Sequence, residues 1–251
     1  MNNIRLKQVC TTLIFAALFV WGLLFAKESY AEGGLSLDQT RVVFDGDAKS
    51  TKVTLNNQSE RVYLINSRVL MTPDGNERST AVLPFMVTPP LFRLEKESRN
   101  TVLISRNNIS ALPTDRESLF YLSFLAIPSV KKGSEEVTEK GSTTTQVSFG
   151  IRMLIKLFYR PTGFSMPVLA APEKLTFVQQ GMQLQVTNPT PYYQTLAQLT
   201  LNGQSINVRE QGAMIAPFST QTYQVKAQVH DIHWSVINDF GGLSETFHWA
   251  Q

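Results

Sequence analysis

The chain has 251 residues, of which 43% are hydrophobic and 17% charged, with a formal net charge of +3. Charges this balanced leave no basic field of the kind that nucleic acid requires. A single cysteine, Cys10, excludes a disulfide framework within the chain.

The N-terminal stretch carries Arg5 and Lys7, an apolar run over residues 11–26 and the small-residue pattern Ser29-Tyr30-Ala31. These are the three regions of a secretory signal peptide, cut after Ala31. A retained anchor is the competing reading, but 16 apolar residues fall short of the roughly 20 that span a bilayer. Lys7, Gln8 and Val9 ahead of Cys10 do not form a lipidation box. Cleavage leaves 220 residues without cysteine and with 20 basic against 19 acidic side chains. The mature chain is thus expected to be secreted, free of membrane insertion, and held together by its own core.

Alternation with period two dominates the mature chain. Leu35, Leu37 and residues 41–44 form a first strand region, residues 52–55 a second, and Asp45-Gly46-Asp47 the turn between them. Residues 61–70 supply a third strand, ended by the turn Pro73-Asp74-Gly75-Asn76. Residues 85–87, 101–104 and 119–127 supply three more. Residues 131–145, with one aliphatic side chain and charges of both signs, read as a loop joining two strands.

The most informative segment is residues 146–161, Q-V-S-F-G-I-R-M-L-I-K-L-F-Y-R-P. Val147, Phe149, Ile151, Met153, Ile155, Leu157 and Tyr159 share one face of an extended chain. The opposite face begins with Ser148, Gly150 and Arg152 and turns apolar later, with Lys156 planted among Ile155, Leu157 and Phe158. Such a strand passes from half-exposed to buried along its length. It is either an ordinary sandwich strand with one wet face or an edge that another chain completes by β-augmentation. Seven short strands in about 130 residues predict an immunoglobulin-like sandwich.

Pro161 and Gly163 form a compact hinge, and a second strand series occupies residues 175–177, 182–187, 196–201, 222–225 and 232–237. The predicted division is a signal peptide at 1–31, an N-terminal domain at 32–161 and a C-terminal domain at 162–251. No catalytic motif is present: there is no G-x-S-x-G, G-x-G-x-x-G or Walker loop, and no mature cysteine. His230 and His233 fall on opposite faces of a strand, whereas a zinc site would need them together with His248 or Asp231. No enzyme activity, cofactor or metal is therefore expected.

Seven segments in order carry a resemblance: T-R-V-V-F at 40–44, V-T-P-P-L-F at 87–92, D-R-E-S-L-F-Y-L at 115–122, I-K-L-F-Y-R-P at 155–161, N-P-T-P-Y-Y at 188–193, M-I-A-P-F-S at 214–219 and I-N-D-F-G-G at 237–242. Together they resemble the periplasmic chaperones of the chaperone–usher pilus pathway, over residues 40–242. The resemblance implies an all-β protein of two immunoglobulin-like β-sandwich domains in a boomerang arrangement. It implies a non-enzymatic role in the periplasm, with fimbrial subunits and an outer-membrane usher as partners. Arg41 and Lys156 match the family's two basic residues that grip a subunit's C-terminal carboxylate. Val147, Phe149 and Ile151 match the donor strand that completes the subunit's unfinished sandwich. Glu117, Arg160 and Asp239 match a charged trio between the domains, and Thr88, Pro89 and Pro90 a turn near the usher-reading surface.

One departure is visible. Twenty-seven residues separate Pro128 from Lys156, longer than in the family's short-loop branch, while the cysteine pair of its long-loop branch is absent. Thr145, Thr143 or Val137 would lengthen the donor strand accordingly. A two-domain immunoglobulin-like pilus subunit or adhesin is the alternative, which would need a free alternating N-terminal extension. After Ala31 the chain instead reads Glu32-Gly33-Gly34. A strand edge with exposed hydrophobes also predicts transient self-association of the free protein, or cover by the 131–145 loop.

Overall fold

The computed structural model describes residues 34–75, 83–129 and 149–250. The signal peptide, Cys10, the 131–145 loop and Val147 therefore lie outside the described residues.

In the N-terminal half, β1 (Leu35–Leu37), β2 (Arg41–Asp45), β3 (Ser50–Asn57), β4 (Tyr63–Leu70), β5 (Phe85–Thr88), β6 (Leu91–Leu94), β7 (Ser98–Arg106), β8 (Ser118–Pro128) and β9 (Ile151–Arg160) build two sheets. One has the order β1-β3-β7-β5 and the other β2-β9-β8-β4-β6. Residues 38–40 carry the chain from the first sheet to the second.

Strict alternation explains why these strands pair face to face. Val53 and Leu55 on β3, Val102 and Ile104 on β7, Ile65 on β4 and Leu122 and Phe124 on β8 all point inward and are buried. Their neighbours Lys52, Thr101 and Arg68 do not. Phe85 closes one end of this core, with its ring centroid 5.0 Å from that of Phe44, 5.3 Å from Phe120 and 5.7 Å from Tyr159. β6 was not anticipated, because Pro89-Pro90 immediately before it reads as a turn. Thr88–Pro89 is a cis peptide, and the Pro90 carbonyl accepts from Ser67 N–H at 2.7 Å, which docks the turn on β4.

The C-terminal half repeats the plan. The strands β10 (Thr176–Gln180) and β11 (Gln183–Asn188) share a sheet with the later β15 (Ser219–Gln224). The second sheet has the order β13-β12-β16-β17, formed by β12 (Gln194–Leu201), β13 (Gln204–Ser205), β16 (Asp231–Val236) and β17 (Phe247–Ala250). The short β14 (Met214–Ile215) pairs with β12. Leu184, Val186, Leu196, Leu199, Tyr223, Ile232 and Trp234 fill the interior. Trp234 stacks obliquely on Phe177 at 4.7 Å, and its indole N–H donates to the Pro172 carbonyl at 3.0 Å. β17, four residues at the chain's end, was not anticipated either.

Both halves use the same knot where a strand leaves its sheet. Asn57 Oδ1 accepts from Ser59 N–H and Oγ, and its Nδ2 donates to the Arg61 and Glu95 carbonyls. Asn188 Oδ1 accepts from Thr190 N–H and Oγ1, and its Nδ2 donates to the Tyr192 and Ala216 carbonyls. Each amide is buried and fully used, so each knot replaces backbone bonds that the bend forfeits.

Candidate functional site

The site is organised by where β9 gains and loses neighbours. β8 pairs with β9 along its length, from Ala126 opposite Ile151 to Ser118 opposite Tyr159. On the other side β2 pairs in parallel only with the second half, Arg41 opposite Lys156 through Asp45 opposite Arg160. Among the described residues no strand covers that side of residues 151–155. Burial follows the same gradient: Phe149 is 77% and Ile151 48% exposed, whereas Leu157, Phe158 and Tyr159 are buried. The open edge ends where Arg41 begins.

That junction is charged. Arg41 and Lys156 are adjacent through the parallel register, each half-buried. Arg41 Nη1 donates to the Ile237 carbonyl at 3.1 Å, and the guanidinium lies 5.7 Å from the centroid of the Phe158 ring. Its Nε is buried without a hydrogen-bond partner. Among the described residues neither cation forms an ion pair. Burial lowers the ionisation range of both groups, and the charge of Arg41 lowers Lys156 further. Two partly desolvated cations held side by side form a site that an anion stabilises.

The carboxylates nearest Arg41 are already engaged. Arg160 donates through Nε to Glu117 Oε1 at 2.8 Å and bidentately to Asp239, Nη1 to Oδ2 at 2.7 Å and Nη2 to Oδ1 at 2.9 Å. Its guanidinium also lies 5.0 Å from the Tyr192 ring centroid. Burial alone would lower Arg160, but its bonds to Asp239 and the charges of Glu117 and Asp239 outweigh burial and hold it above its ordinary value. Glu117 is pushed up by burial, against Arg160 and the Tyr193 N–H, which donates to Oε2 at 2.8 Å. Glu117 N–H in turn donates to the Pro191 carbonyl at 2.9 Å. The trio thus ties the start of β8 and the end of β9 to residues 191–193 and to the loop after β16.

Close backbone approach completes the junction. Gly241 has φ +83°, and a Cβ there would collide with Thr40 Oγ1, directly before Arg41. Gly46 N–H donates to the Arg160 carbonyl at 2.7 Å, and a Cβ on Gly46 would meet Thr162 N at 2.9 Å. A cavity of about 500 Å³ opens on the Arg41 side, lined by Phe158, Arg160, Tyr193 and Asp239 among others. Leu169 and Phe240, 82% and 95% exposed, stand at its rim.

Thr88, Pro89 and Pro90 lie elsewhere. Their turn joins β5 to β6, and β6 is the opposite edge of the sheet that β2 begins. Sequence reasoning missed Ile237 as the acceptor for Arg41, Phe158 as its apolar floor and Tyr193 as the second donor to Glu117. Ile237 and Tyr193 sit inside the family-like segments 237–242 and 188–193, but a backbone group that bonds a distant side chain leaves no mark on composition.

One group of potential metal-ligating side chains lies away from this junction. His230 lies just before β16 and outside this group. β17, however, places His248 directly opposite His233, and Asp231, two residues along β16, joins them.

A chain built as two immunoglobulin-like sandwiches, joined by a buried arginine–carboxylate network, is a two-domain all-β protein of a recognisable class. Residues 34–165 match the family described as pili and flagellar-assembly chaperone, PapD N-terminal domain, and residues 170–248 the pili assembly chaperone PapD, C-terminal domain. The chain belongs to this PapD-like family of pilus-assembly chaperones. YcbF of Escherichia coli K12, an uncharacterized fimbrial chaperone, is 36% identical over 238 residues, 92% of each chain. The chaperone protein FimC of the same strain is 33% identical over 244 residues, 96% of this chain and 94% of FimC. Among solved structures, the Escherichia coli chaperone DraB superposes with a TM-score of 0.72 at 31% identity, covering 88% of this chain and all of DraB. A chain of the Salmonella enterica SafA pilin–SafB chaperone complex gives 0.73 at 29% identity, covering 89% and 99%.

Proposed function

We propose that this chaperone works in the periplasm, caps fimbrial subunits by lending them the open edge of β9, and passes them to an outer-membrane usher. The observation that carries the proposal is the coincidence of the open edge with the unpaired cations: the free side of β9 stops at Arg41 and Lys156. Val147, Phe149 and Ile151 enter the subunit's groove, and the subunit's C-terminal carboxylate bonds to Arg41 and Lys156. Burying three such side chains contributes roughly 5–9 kcal/mol before ordering costs, and each charge-assisted bond about 1.5–3 kcal/mol. The groove supplies affinity and the carboxylate sets register, since a slip of one residue would present Ser148, Gly150 and Arg152 instead.

Glu117, Arg160 and Asp239 hold the domains, taken as 32–161 and 162–251, at the angle that keeps the cations accessible. Thr88, Pro89 and Pro90 meet the usher, on the edge away from the subunit. Residues 1–31 direct secretion and are removed; no helix among the described residues is long and apolar enough to cross a membrane. The role requires no enzyme activity or cofactor, so release comes from exchange of the lent strand for that of the next subunit.

The test is co-purification from periplasm of a tagged subunit encoded with this chaperone. Arg41→Ala and Lys156→Ala should each deplete the complex while leaving the free chaperone folded. Undiminished complex with either folded variant would overturn the anchoring role. Intact mass of the purified chaperone checks cleavage after Ala31.

A further inference from the structure

Far from the β9 edge, one surface cluster is built like a ligand set. Asp231 and His233 lie two apart on β16 and so project from one face. His248, on the edge strand β17, is the direct cross-strand partner of His233. The two imidazoles stack with centroids 4.4 Å apart and planes at 18°. Both meet the Asp231 carboxylate, His248 Nε2 at 2.7 Å from Oδ1 and His233 Nε2 at 3.2 Å from Oδ2. All three ligand atoms lie within 4.8 Å of one another.

We propose that Asp231, His233 and His248 form a binding site for a zinc-class divalent cation. Two imidazole nitrogens and a carboxylate oxygen are a donor set that suits zinc, copper or nickel and gives magnesium and calcium too few oxygens. Ligand bonds of about 2.0–2.1 Å to a tetrahedral ion place neighbouring ligand atoms about 3.3 Å apart. The two imidazole–carboxylate spacings, 2.7 and 3.2 Å, lie just below that value, so small side-chain rotations admit the ion. The cation takes the place of the hydrogen bond between His248 Nε2 and Asp231 Oδ1. Three protein ligands leave a fourth position for water or a donor from another molecule.

The backbone under the cluster is fixed independently of any ion. Asn202 Oδ1 accepts from the N–H groups of His230 and Asp231 at 2.9 and 3.1 Å, and Asn202 N–H donates to the Asp231 carbonyl at 2.8 Å. The partly exposed side chains, 40–51% accessible, keep the site reachable from solvent.

The test is calorimetric titration of untagged mature protein with zinc chloride near neutral pH, in a buffer that does not chelate. The wild type should bind one zinc per chain, with heat unaffected by excess magnesium. His233→Ala and His248→Ala should each weaken binding about tenfold or more, and the double variant should abolish it. His230→Ala removes the one remaining histidine of the chain, which lies outside the cluster, and should bind as the wild type does. His233→Gln and His248→Gln, with thermal unfolding as a folding check, stand in if an alanine variant misfolds. Copper(II) should broaden amide resonances around residues 231–233 and 248 and at their neighbours 200–202 on and after β12, and leave the N-terminal half sharp. Zinc binding that survives the folded double variant, or that depends equally on His230, would overturn the proposal, as would no binding by the wild type.

Discussion

Arg160→Ala is the perturbation that most directly probes the junction. It removes both donors to Glu117 Oε1 and the bidentate pair to Asp239, leaving Oε2 with only the Tyr193 N–H. The Glu117 side chain is 2% exposed, so its charge cannot recruit water, while Asp239, at 32%, can. Leaving one partner of a buried pair uncompensated costs about 3–5 kcal/mol, and loss of the guanidinium above Tyr192 adds about 0.5–1 kcal/mol. With Arg160 gone, burial acts on Glu117 almost unopposed and raises it further. A carboxyl raised above its unfolded value is favourable to the fold below the unfolded value, and that benefit is lost as pH rises through the folded one. The deficit of the variant should therefore be largest at neutral pH and shrink on acidification toward about pH 5. Urea unfolding is the assay, because guanidinium chloride would screen the charges. Trp234 and Trp249 fluorescence reports the C-terminal half and far-ultraviolet circular dichroism the whole. A loss below about 1 kcal/mol at neutral pH, or a loss that does not change with pH, would refute the reasoning.

Three further outcomes are expected. Ile151→Ala should leave the free chaperone's stability within about 0.5 kcal/mol, because the side chain is half exposed, yet weaken subunit capture by about 30-fold, the equivalent of roughly 2 kcal/mol; unfolding curves and complex yield separate the two. Lys156 binds a carboxylate only when protonated, and burial beside Arg41 lowers its range, so affinity is full below that range and falls as pH rises through it. Capture measured from about pH 7 to about pH 10 should decline before an ordinary lysine would titrate, and in Lys156→Arg protein the decline should vanish. Gly241→Val forces a β-branched side chain into φ +83° against Thr40 and should cost about 1–3 kcal/mol by urea unfolding, with the junction loosened to proteolysis at residues 161–163.

What was legible in the sequence was whatever repeats locally. Alternation exposed β3, β4, β7, β8 and the burial gradient of β9, since every second side chain must enter the core. β6 was hidden because two prolines ahead of it imitate a turn, and β17 because four residues carry too short a period. The cation pair was out of reach of periodicity: Arg41 and Lys156 are adjacent only because residues 38–40 switch β2 into the sheet that contains β9. Resemblance to the family supplied that pairing, and it supplied the trio in the same way. The two asparagine knots were available in principle, as Asn-x-Ser at 57–59 and Asn-x-Thr at 188–190, but such tripeptides read equally as surface turns. Likewise His248 meets His233 only through the unforeseen strand, so spacing along the chain drew attention to His230 instead.

The register between β2 and β9 constrains the polarity of whatever fills the open edge. β2 runs parallel to β9 and starts at Arg41 opposite Lys156. A ligand strand occupying the same side of residues 149–155 lies end to end with β2. If it also runs parallel to β9, its carboxyl end arrives at two cations that form no ion pair among the described residues. If it runs antiparallel, the end beside Arg41 and Lys156 is its amino end, and a third positive charge joins a pair in which Arg41 already lowers Lys156. Like charges at such separations cost more than a hydrogen bond returns. Only the parallel arrangement is therefore electrostatically competent, although antiparallel pairing is slightly stronger per residue. From Phe149 to Lys156 the edge spans about 23 Å at 3.3 Å per residue, so a strand of about seven residues ending in a free carboxylate fits it. A synthetic peptide of the subunit's last residues with its C-terminus amidated should accordingly lose most of its affinity, while acetylating its N-terminus should change little.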